Sequence, residues 1–404
     1  MSAAGAAGLP LGGAASPETA LVLACSRLEL RDEDKAAIDS ALQRGVNWDV
    51  LLSRARWHGI IGFVHKHLGA GSSTAIPAAV VAALETAAAR MARNNLRLSG
   101  ELIALLRLFA DHRIPVLPLK GPVLAELIYG SIALRKIIDL DLLFREADVP
   151  KVVELLATRG YQTWQSFPAE FEDLDRRDSQ HLAFVCRERE ICVEVHHCLL
   201  GQRHTRHPLD VMLPRTLTAS FMGVSILTLS ADDLLVYLCE HGSNHVWCRL
   251  EWICAVAELL RSGRIRSWDR VFAFADEFKG GRRLRTSLCI ARDLLGSPVP
   301  DAILGHDAGS DAAARSVVAR LRNDADAMPT SAEAFRYLVA TNGGELLATL
   351  RRFGLTLVTP DVVDLQWVAL PRSLWHAYYV LRPLRMLIGI CQRRVFASAP
   401  FRGD

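Results

Sequence analysis

The sequence predicts an α+β protein in which a small mixed sheet is flanked by an N-terminal and a C-terminal helical region. Apolar residues recur at helical spacing before about residue 113 and again after about residue 216. Short apolar runs separated by glycines and charged turns fill the segment between them, which is typical of strands. A chain of 404 residues has room for several such units. We expect a disordered tail at 1–15, a helical region at 16–113, an α/β core at 114–215 and a helical region at 216–404.

The composition narrows the class of protein. The net charge of +3 provides no global basic field. No run of about 18 apolar residues without charges is present, so we expect no membrane span. The Ala/Gly-rich start lacks the basic segment of a signal peptide. Arg greatly outnumbers Lys, as in bacteria with GC-rich genomes. The nine cysteines form no CxxC pair, which favours free thiols in a reducing cytoplasm over disulfides or a zinc site.

Capping residues predict the first helices. Ser16, followed by Pro17, can cap a helix, and we predict helix over 20–30. Asn47 can begin a second helix, and 78–112 has the pattern of one long helix or two, after a loop at 71–76.

The central segment alternates between strands and helices. Within it, Gly160 can end a helix in a left-handed conformation. We predict strands at 116–119, 139–144, 181–186 and 191–197, helices at 122–129 and 149–158, and a charged turn at 187–190.

The last third of the chain has helical periodicity. We predict helices at 232–239, 249–261, 268–278 and 283–295, followed by a linker at 298–310. The segment 375–394 mixes aromatic and arginine side chains. It fits a closing helix with a solvated basic face, the alternatives being a membrane-surface or RNA-binding helix.

The most informative motif is Asp139-Leu140-Asp141 on a predicted strand. Side chains alternate between the two faces of a strand, so Asp139 and Asp141 project from the same face. Two adjacent carboxylates repel each other unless a cation lies between them. This geometry suits Mg²⁺, or Mn²⁺, carrying a nucleoside triphosphate.

A third carboxylate is available on another predicted strand, in Cys192-Val193-Glu194-Val195-His196. Glu194 and His196 share one face of that strand, while the valines face the other side. We expect Glu194 to join Asp139 and Asp141 as a metal ligand and catalytic residue, and whether His196 takes part stays open. The alternative is an exposed edge with ordinary alternation.

A glycine turn precedes the first of these strands. Gly121 lets a phosphate approach the backbone, and the helix N-terminus beyond it favours anions. Lys120 and Arg135 can contact the triphosphate, or can be a solvated lysine and a surface ion pair. Gly130-Ser131 offers a competing register for the phosphate turn, but it lacks a preceding strand.

These residues together resemble the uncharacterised bacterial nucleotidyltransferases of the DNA polymerase beta superfamily. The likeness rests on LKG at 119–121, Arg135, DLDLLF at 139–144 and VEVHHCL at 193–199, with weaker similarity at 47–68 and 241–260. The layout is also similar to the abortive-infection nucleotidyltransferase toxins. Pro122 and Ala255 depart from the family pattern, which bears on the phosphate turn and on the role of the C-terminal helix in acceptor binding.

The resemblance and the acids together predict a Mg²⁺-dependent transfer of NMP from an NTP to an acceptor hydroxyl, with release of pyrophosphate. The sequence does not identify the acceptor. A small molecule such as a sugar or antibiotic, a peptide or protein side chain, or an RNA end would each fit. One alternative is a nucleotidyltransferase fold that binds without turnover, and others are a toxin-like RNA nucleotidyltransferase and a helical scaffold in which the two aspartates are incidental.

Overall fold

The computed structural model describes residues 15–69, 75–164, 181–199, 208–323, 328–342 and 370–392, with single residues between 354 and 368. All but the last residue of the predicted tail at 1–15, and most of the predicted loop at 71–76, lie outside these residues. The N-terminal helices are α1 (Pro17–Cys25), α2 (Asp32–Gln43), α3 (Trp48–Trp57), α4 (Ile61–Leu68) and α5 (Ala78–Asp111).

The predicted caps begin α1 and α3, but α1 ends at Cys25, so the prediction of helix as far as residue 30 is wrong. The Ser16 hydroxyl accepts a hydrogen bond from the Thr19 amide at 3.2 Å, and the Asn47 side chain accepts one from the Val50 amide. The segment 78–112 is one continuous helix of 34 residues rather than two. This long helix provides one continuous apolar face for the sheet to pack against.

The sheet of the described residues is mixed and five-stranded. Its strands are β1 (Leu117–Pro118), β2 (Asp139–Leu143), β3 (Gln162–Thr163), β4 (His181–Cys186) and β5 (Ile191–His196), in the order β1-β2-β5-β4-β3. β2 and β5 are parallel, and the other pairs are antiparallel. The helices α6 (Pro122–Tyr129) and α7 (Val149–Thr158) connect the strands as predicted. Gly160, with φ of 78°, follows α7 in the expected left-handed region.

The expectation that the chain is helical from residue 216 onward is wrong at its start. An antiparallel hairpin forms there, from β6 (Thr216–Phe221) and β7 (Val224–Leu229). Met222 and Gly223, with φ of 47° and 79°, make its two-residue turn. Two successive positive φ values match the twist of the flanking strands, which is why such turns join hairpins.

Helices follow the hairpin, and the four predicted ones are confirmed within a few residues. The short helix α8 (Leu209–Met212) lies before the hairpin. The helices after the hairpin are α9 (Ala231–Asn244), α10 (Leu250–Arg261), α11 (Trp268–Glu277), α12 (Gly281–Leu295), α13 (Asp301–Leu304), α14 (Ala308–Asn323), α15 (Ser331–Thr341) and α16 (Tyr378–Gln392). The predicted linker at 298–310 is wrong, because it contains α13 and the start of α14. The closing helix is present in α16, while residues 393–394 lie outside the described part.

The hydrophobic core explains why one face of the sheet remains polar. Leu140, Leu142 and Val193 are almost completely buried on the face opposite the aspartates. Phe144 packs edge-to-face on Phe109 of α5, with the ring centroids 4.9 Å apart. Helices therefore cover the apolar face of β2 and β5, as expected, and the carboxylates project from the other face.

Two further features concern the class of protein. The eight cysteines whose side chains the structure describes are buried free thiols. Within the described part of the chain, no helix combines the length and the apolar character that a membrane span needs.

Candidate active site

Strand register brings the predicted acids together. In the parallel pair of β2 and β5, Asp141 lies opposite Glu194 and Asp139 lies opposite Cys192. Because residues opposite each other in a ladder project from the same face, Asp139, Asp141 and Glu194 line one face of the sheet.

His196 joins these acids. Its Nε2 lies 3.1 Å from Asp141 Oδ1 and 3.4 Å from Glu194 Oε2. Asp141, Glu194 and His196 each offer one ligand atom, and these three atoms lie within 4.8 Å of one another. They are close enough to bind a single metal ion together. Asp139 is next to this group but not part of it. The sequence left the participation of His196 open, and its position two residues after Glu194 was the available signal.

Lys120 lies between the two aspartates. Its Nζ is 3.0 Å from Asp141 Oδ1 and 4.0 Å from Asp139 Oδ1. Burial alone would lower the pKa of Lys120, but Asp139 and Asp141 raise it well above its usual value. The ammonium therefore stays charged and compensates for the carboxylates. Its predicted contact with a phosphate stays a prediction.

The two aspartates have opposite pKa shifts. Burial, together with the charges of Asp141 and Glu194, raises the pKa of Asp139 to about 7, although Lys120 opposes the shift. Burial also acts on Asp141, but Lys120 and the hydrogen bond from His196 hold its pKa well below the usual value. Asp141 is therefore an anion at neutral pH, and Asp139 exchanges its proton near neutrality.

Asp141 has the environment that best suits a bound cation. Its side chain is completely buried, and its Oδ2 has no hydrogen-bond partner among the described residues. A buried carboxylate oxygen without a partner is costly unless a further positive group reaches it. Carboxylate oxygens are the donors that divalent ions such as Mg²⁺ and Mn²⁺ prefer. The residues present therefore fit a divalent metal.

The glycine turn stands directly beside β2. Gly121 has φ of 71° and ψ of −137°, a region that only glycine occupies freely, and it precedes α6 with Pro122 at the first helical position. A Cβ on Gly121 would lie 3.4 Å from the backbone oxygen of Asp139. The turn and the acidic strand are therefore in contact. Gly130, in the left-handed region, ends α6, which supports the chosen register of the phosphate turn.

Arg135 is buried, and it forms no ion pair with any residue that the structure describes. Only 7% of the residue is exposed, and Nε and Nη1 have no hydrogen-bond partner among the described residues. Asn95 of α5 fixes the backbone before β2 by donating to the Arg135 oxygen at 2.7 Å. The positive charge of Arg135 lowers the pKa of Asp139, though less than burial and Lys120 shift it. Two unpaired guanidinium nitrogens near the acids suit an anion.

Sequence reasoning missed a group of aromatic rings beside the acids, which we call the ring cluster: Tyr237, His241, His245 and Trp252. The His245 and Trp252 rings stack at 4.7 Å with an interplanar angle of 23°. Burial, and then the charge of Lys120, hold the pKa of His241 well below its usual value, so that ring is neutral. The spacing of the first three rings, four residues apart on and just after α9, was the signal in the sequence.

A comparison with protein families supports this reading of the site. The model of the uncharacterised nucleotidyltransferase family matches residues 44–296, which is more than half of the chain. The chain belongs to this family. No curated protein and no solved structure matches it.

The matched range of this nucleotidyltransferase family member runs from just before α3 to the end of α12. It therefore includes the glycine turn, β2, β5 and the ring cluster. Family membership and the acidic cluster together support a nucleotidyltransferase with a possible metal site at Asp141, Glu194 and His196.

Proposed function

We propose that this protein is a Mg²⁺-dependent nucleotidyltransferase that moves an NMP from an NTP, such as ATP, to an acceptor hydroxyl and releases pyrophosphate. The observation that carries the proposal is the register of β2 and β5, which sets Asp141 beside Glu194 in a member of a nucleotidyltransferase family. We further propose that the protein belongs to the DNA polymerase beta superfamily, which its motifs resemble. We also propose a cytoplasmic location, which the buried free thiols support.

Asp139, Asp141 and Glu194 would hold the divalent metal, and His196 is placed to join them. The orphaned Oδ2 of Asp141 supports this assignment. When bound, the metal would polarise the phosphoryl oxygens and offset the charge that develops on them. Mn²⁺ would serve the same role, because it accepts the same oxygen ligands.

The residues of the chain would bind and orient the reactants. The turn at Gly121 and the first amides of α6 would contact the triphosphate, where backbone N–H groups and the helix dipole favour anions. Arg135 would donate to phosphate oxygens from its unpaired nitrogens. Lys120 would move from the aspartates to the phosphates as the metal takes over their charge.

The reaction balances as a single displacement. The acceptor oxygen forms a bond to the α-phosphorus, the bond from the α-phosphorus to the bridging oxygen breaks, and pyrophosphate leaves with the electron pair. The hydroxyl proton passes to the Glu194 carboxylate, whose side chain is 22% exposed, and from there to water. Positioning and charge neutralisation supply the rate enhancement, without a covalent enzyme intermediate.

The test uses NTPs labelled at the α-phosphate. Each is incubated with the protein, Mg²⁺ or Mn²⁺ and a cell extract, and labelled products and pyrophosphate are measured. Asp139→Asn should abolish label transfer while the circular dichroism spectrum is unchanged. Asp111→Asn, an exposed aspartate at the end of α5, is the control and should retain transfer. Full transfer by Asp139→Asn would refute the assignment.

A further inference from the structure

A groove of about 700 Å³ runs between α5 and the β4–β5 turn. Five arginines and three glutamates line it, together with Asn94 and Ile191. Its arginines are Arg90, Arg93 and Arg97 on one stripe of α5, and Arg187 and Arg189 on the turn. We call it the arginine groove.

The five arginines of the groove outnumber its three glutamates, so its lining keeps a net positive charge. Glu101 forms an ion pair with Arg159, which donates hydrogen bonds to both carboxylate oxygens of Glu101, at 2.9 and 3.0 Å. Arg90, Arg93 and Arg187 are exposed, and none of the three has an ion pair with a described residue. The groove therefore presents cations to solvent and fits an anionic partner.

The groove borders the beginnings of the two strands that carry the acidic site. Ile191 lines it, and the next residue, Cys192, lies opposite Asp139 in the sheet. Asn94, also in the groove, donates to the backbone oxygen of Ile137 at 3.0 Å, two residues before Asp139. A chain bound along the groove would reach the acids by passing around the start of β2, because the acids project from the other face of the sheet.

Two further cations, Lys136 and Arg249, link the arginine groove electrostatically with the ring cluster. Exposed Lys136 lies three residues before Asp139, and the charges of Arg90 and Arg249 both act on it. Arg249 in turn acts electrostatically on His245, which is exposed and stacks on Trp252. Cations and stacked rings thus flank the same site.

A basic groove beside stacked rings is the combination by which proteins hold single-stranded nucleic acid. Cations follow the phosphates, and bases stack on aromatic rings. We infer that the arginine groove and the ring cluster bind single-stranded RNA, whose terminal ribose hydroxyl is the acceptor. This inference rests on the proposed function and names its acceptor class. The terminal hydroxyl oxygen attacks the α-phosphorus in the displacement given above, so the product is an RNA longer by one nucleotide.

The first test measures binding without turnover. A fluorescein-labelled single-stranded RNA of about 20 nucleotides is titrated with the protein in EDTA and followed by fluorescence anisotropy. The double variant Arg90→Ala/Arg93→Ala should weaken binding roughly tenfold at 0.1 M salt, because two phosphate contacts are lost. The slope of log Kd against log salt should fall by about 1.4. His245→Ala should weaken binding by several-fold through lost stacking while the slope is unchanged.

A charge-matched control separates the groove from the net charge of the protein. Arg107→Ala/Arg270→Ala removes two exposed arginines that do not line the groove, and it should change Kd by less than twofold. Equal Kd values for the two double variants would overturn the inference, and so would a wild-type protein that does not bind the RNA.

A second test separates this inference from the proposed function. Elongation of the RNA from a labelled NTP, lost in Arg90→Ala/Arg93→Ala, would support both. Transfer to a peptide or small molecule that the double variant leaves unchanged would overturn the RNA acceptor and leave the nucleotidyltransferase assignment intact. RNA binding through the groove with no transfer from any NTP would overturn the proposed function and, with it, the acceptor role.

Discussion

The glycine turn offers the sharpest stability prediction. Gly121 has φ of 71° and ψ of −137°, outside the regions that residues with a Cβ populate. Gly121→Ala should lower the free energy of unfolding by about 1–3 kcal/mol from backbone strain. The new Cβ would meet the Asp139 oxygen at 3.4 Å, an ordinary contact, so steric overlap should add little.

Gly100→Ala is the control, and it should change the free energy of unfolding in the opposite direction. Gly100 lies inside the helix α5, and a Cβ there would have no neighbour within 4 Å. Gly100→Ala should therefore raise the free energy of unfolding by about 0.5–1 kcal/mol. Both variants are compared by urea unfolding followed by circular dichroism. A loss below about 0.5 kcal/mol for Gly121→Ala, against the range expected from strain, would refute the reasoning, as would an equal loss in Gly100→Ala.

Two ion pairs, each with a buried carboxylate, give further predictions. Lys120→Met should destabilise the metal-free protein by about 3–5 kcal/mol, because Asp141 loses its cation, and Mg²⁺ should raise the Tm of the variant more than that of the wild type. Equal Tm shifts would contradict this. Glu101→Gln should cost about 1–3 kcal/mol in urea unfolding, since Arg159 loses a charged acceptor, whereas exposed Glu85→Gln should change little. A Glu101→Gln protein as stable as the Glu85→Gln control would contradict the second.

The acidic face could be read from the sequence because alternation along a strand is a local property. Asp139 and Asp141 must share a face wherever the strand lies, and so must Glu194 and His196. The parallel register that sets Asp141 beside Glu194 was expected only as convergence on one site. The order of the strands depends on how distant segments pack, and the sequence does not state it.

Other features depend on contacts that local patterns do not encode. The sequence allowed Lys120 to be a solvated lysine, but tertiary packing buries it against Asp141. The hairpin at 216–229 was missed, although Gly223 between two strand-like runs was a usable signal. The meeting of His245 with Trp252 joins the end of α9 to α10 and requires the three-dimensional fold.

We propose that Asp141 and Glu194 share one divalent ion with the triphosphate of an NTP. The most direct measurement is the anomalous difference density of a crystal grown with Mn²⁺ and a non-hydrolysable NTP analogue. We predict a peak about 2.1 Å from a carboxylate oxygen of Asp141 and of Glu194, with the triphosphate beside Gly121. A Mn²⁺ peak bound away from these carboxylates, with the nucleotide elsewhere, would contradict the claim.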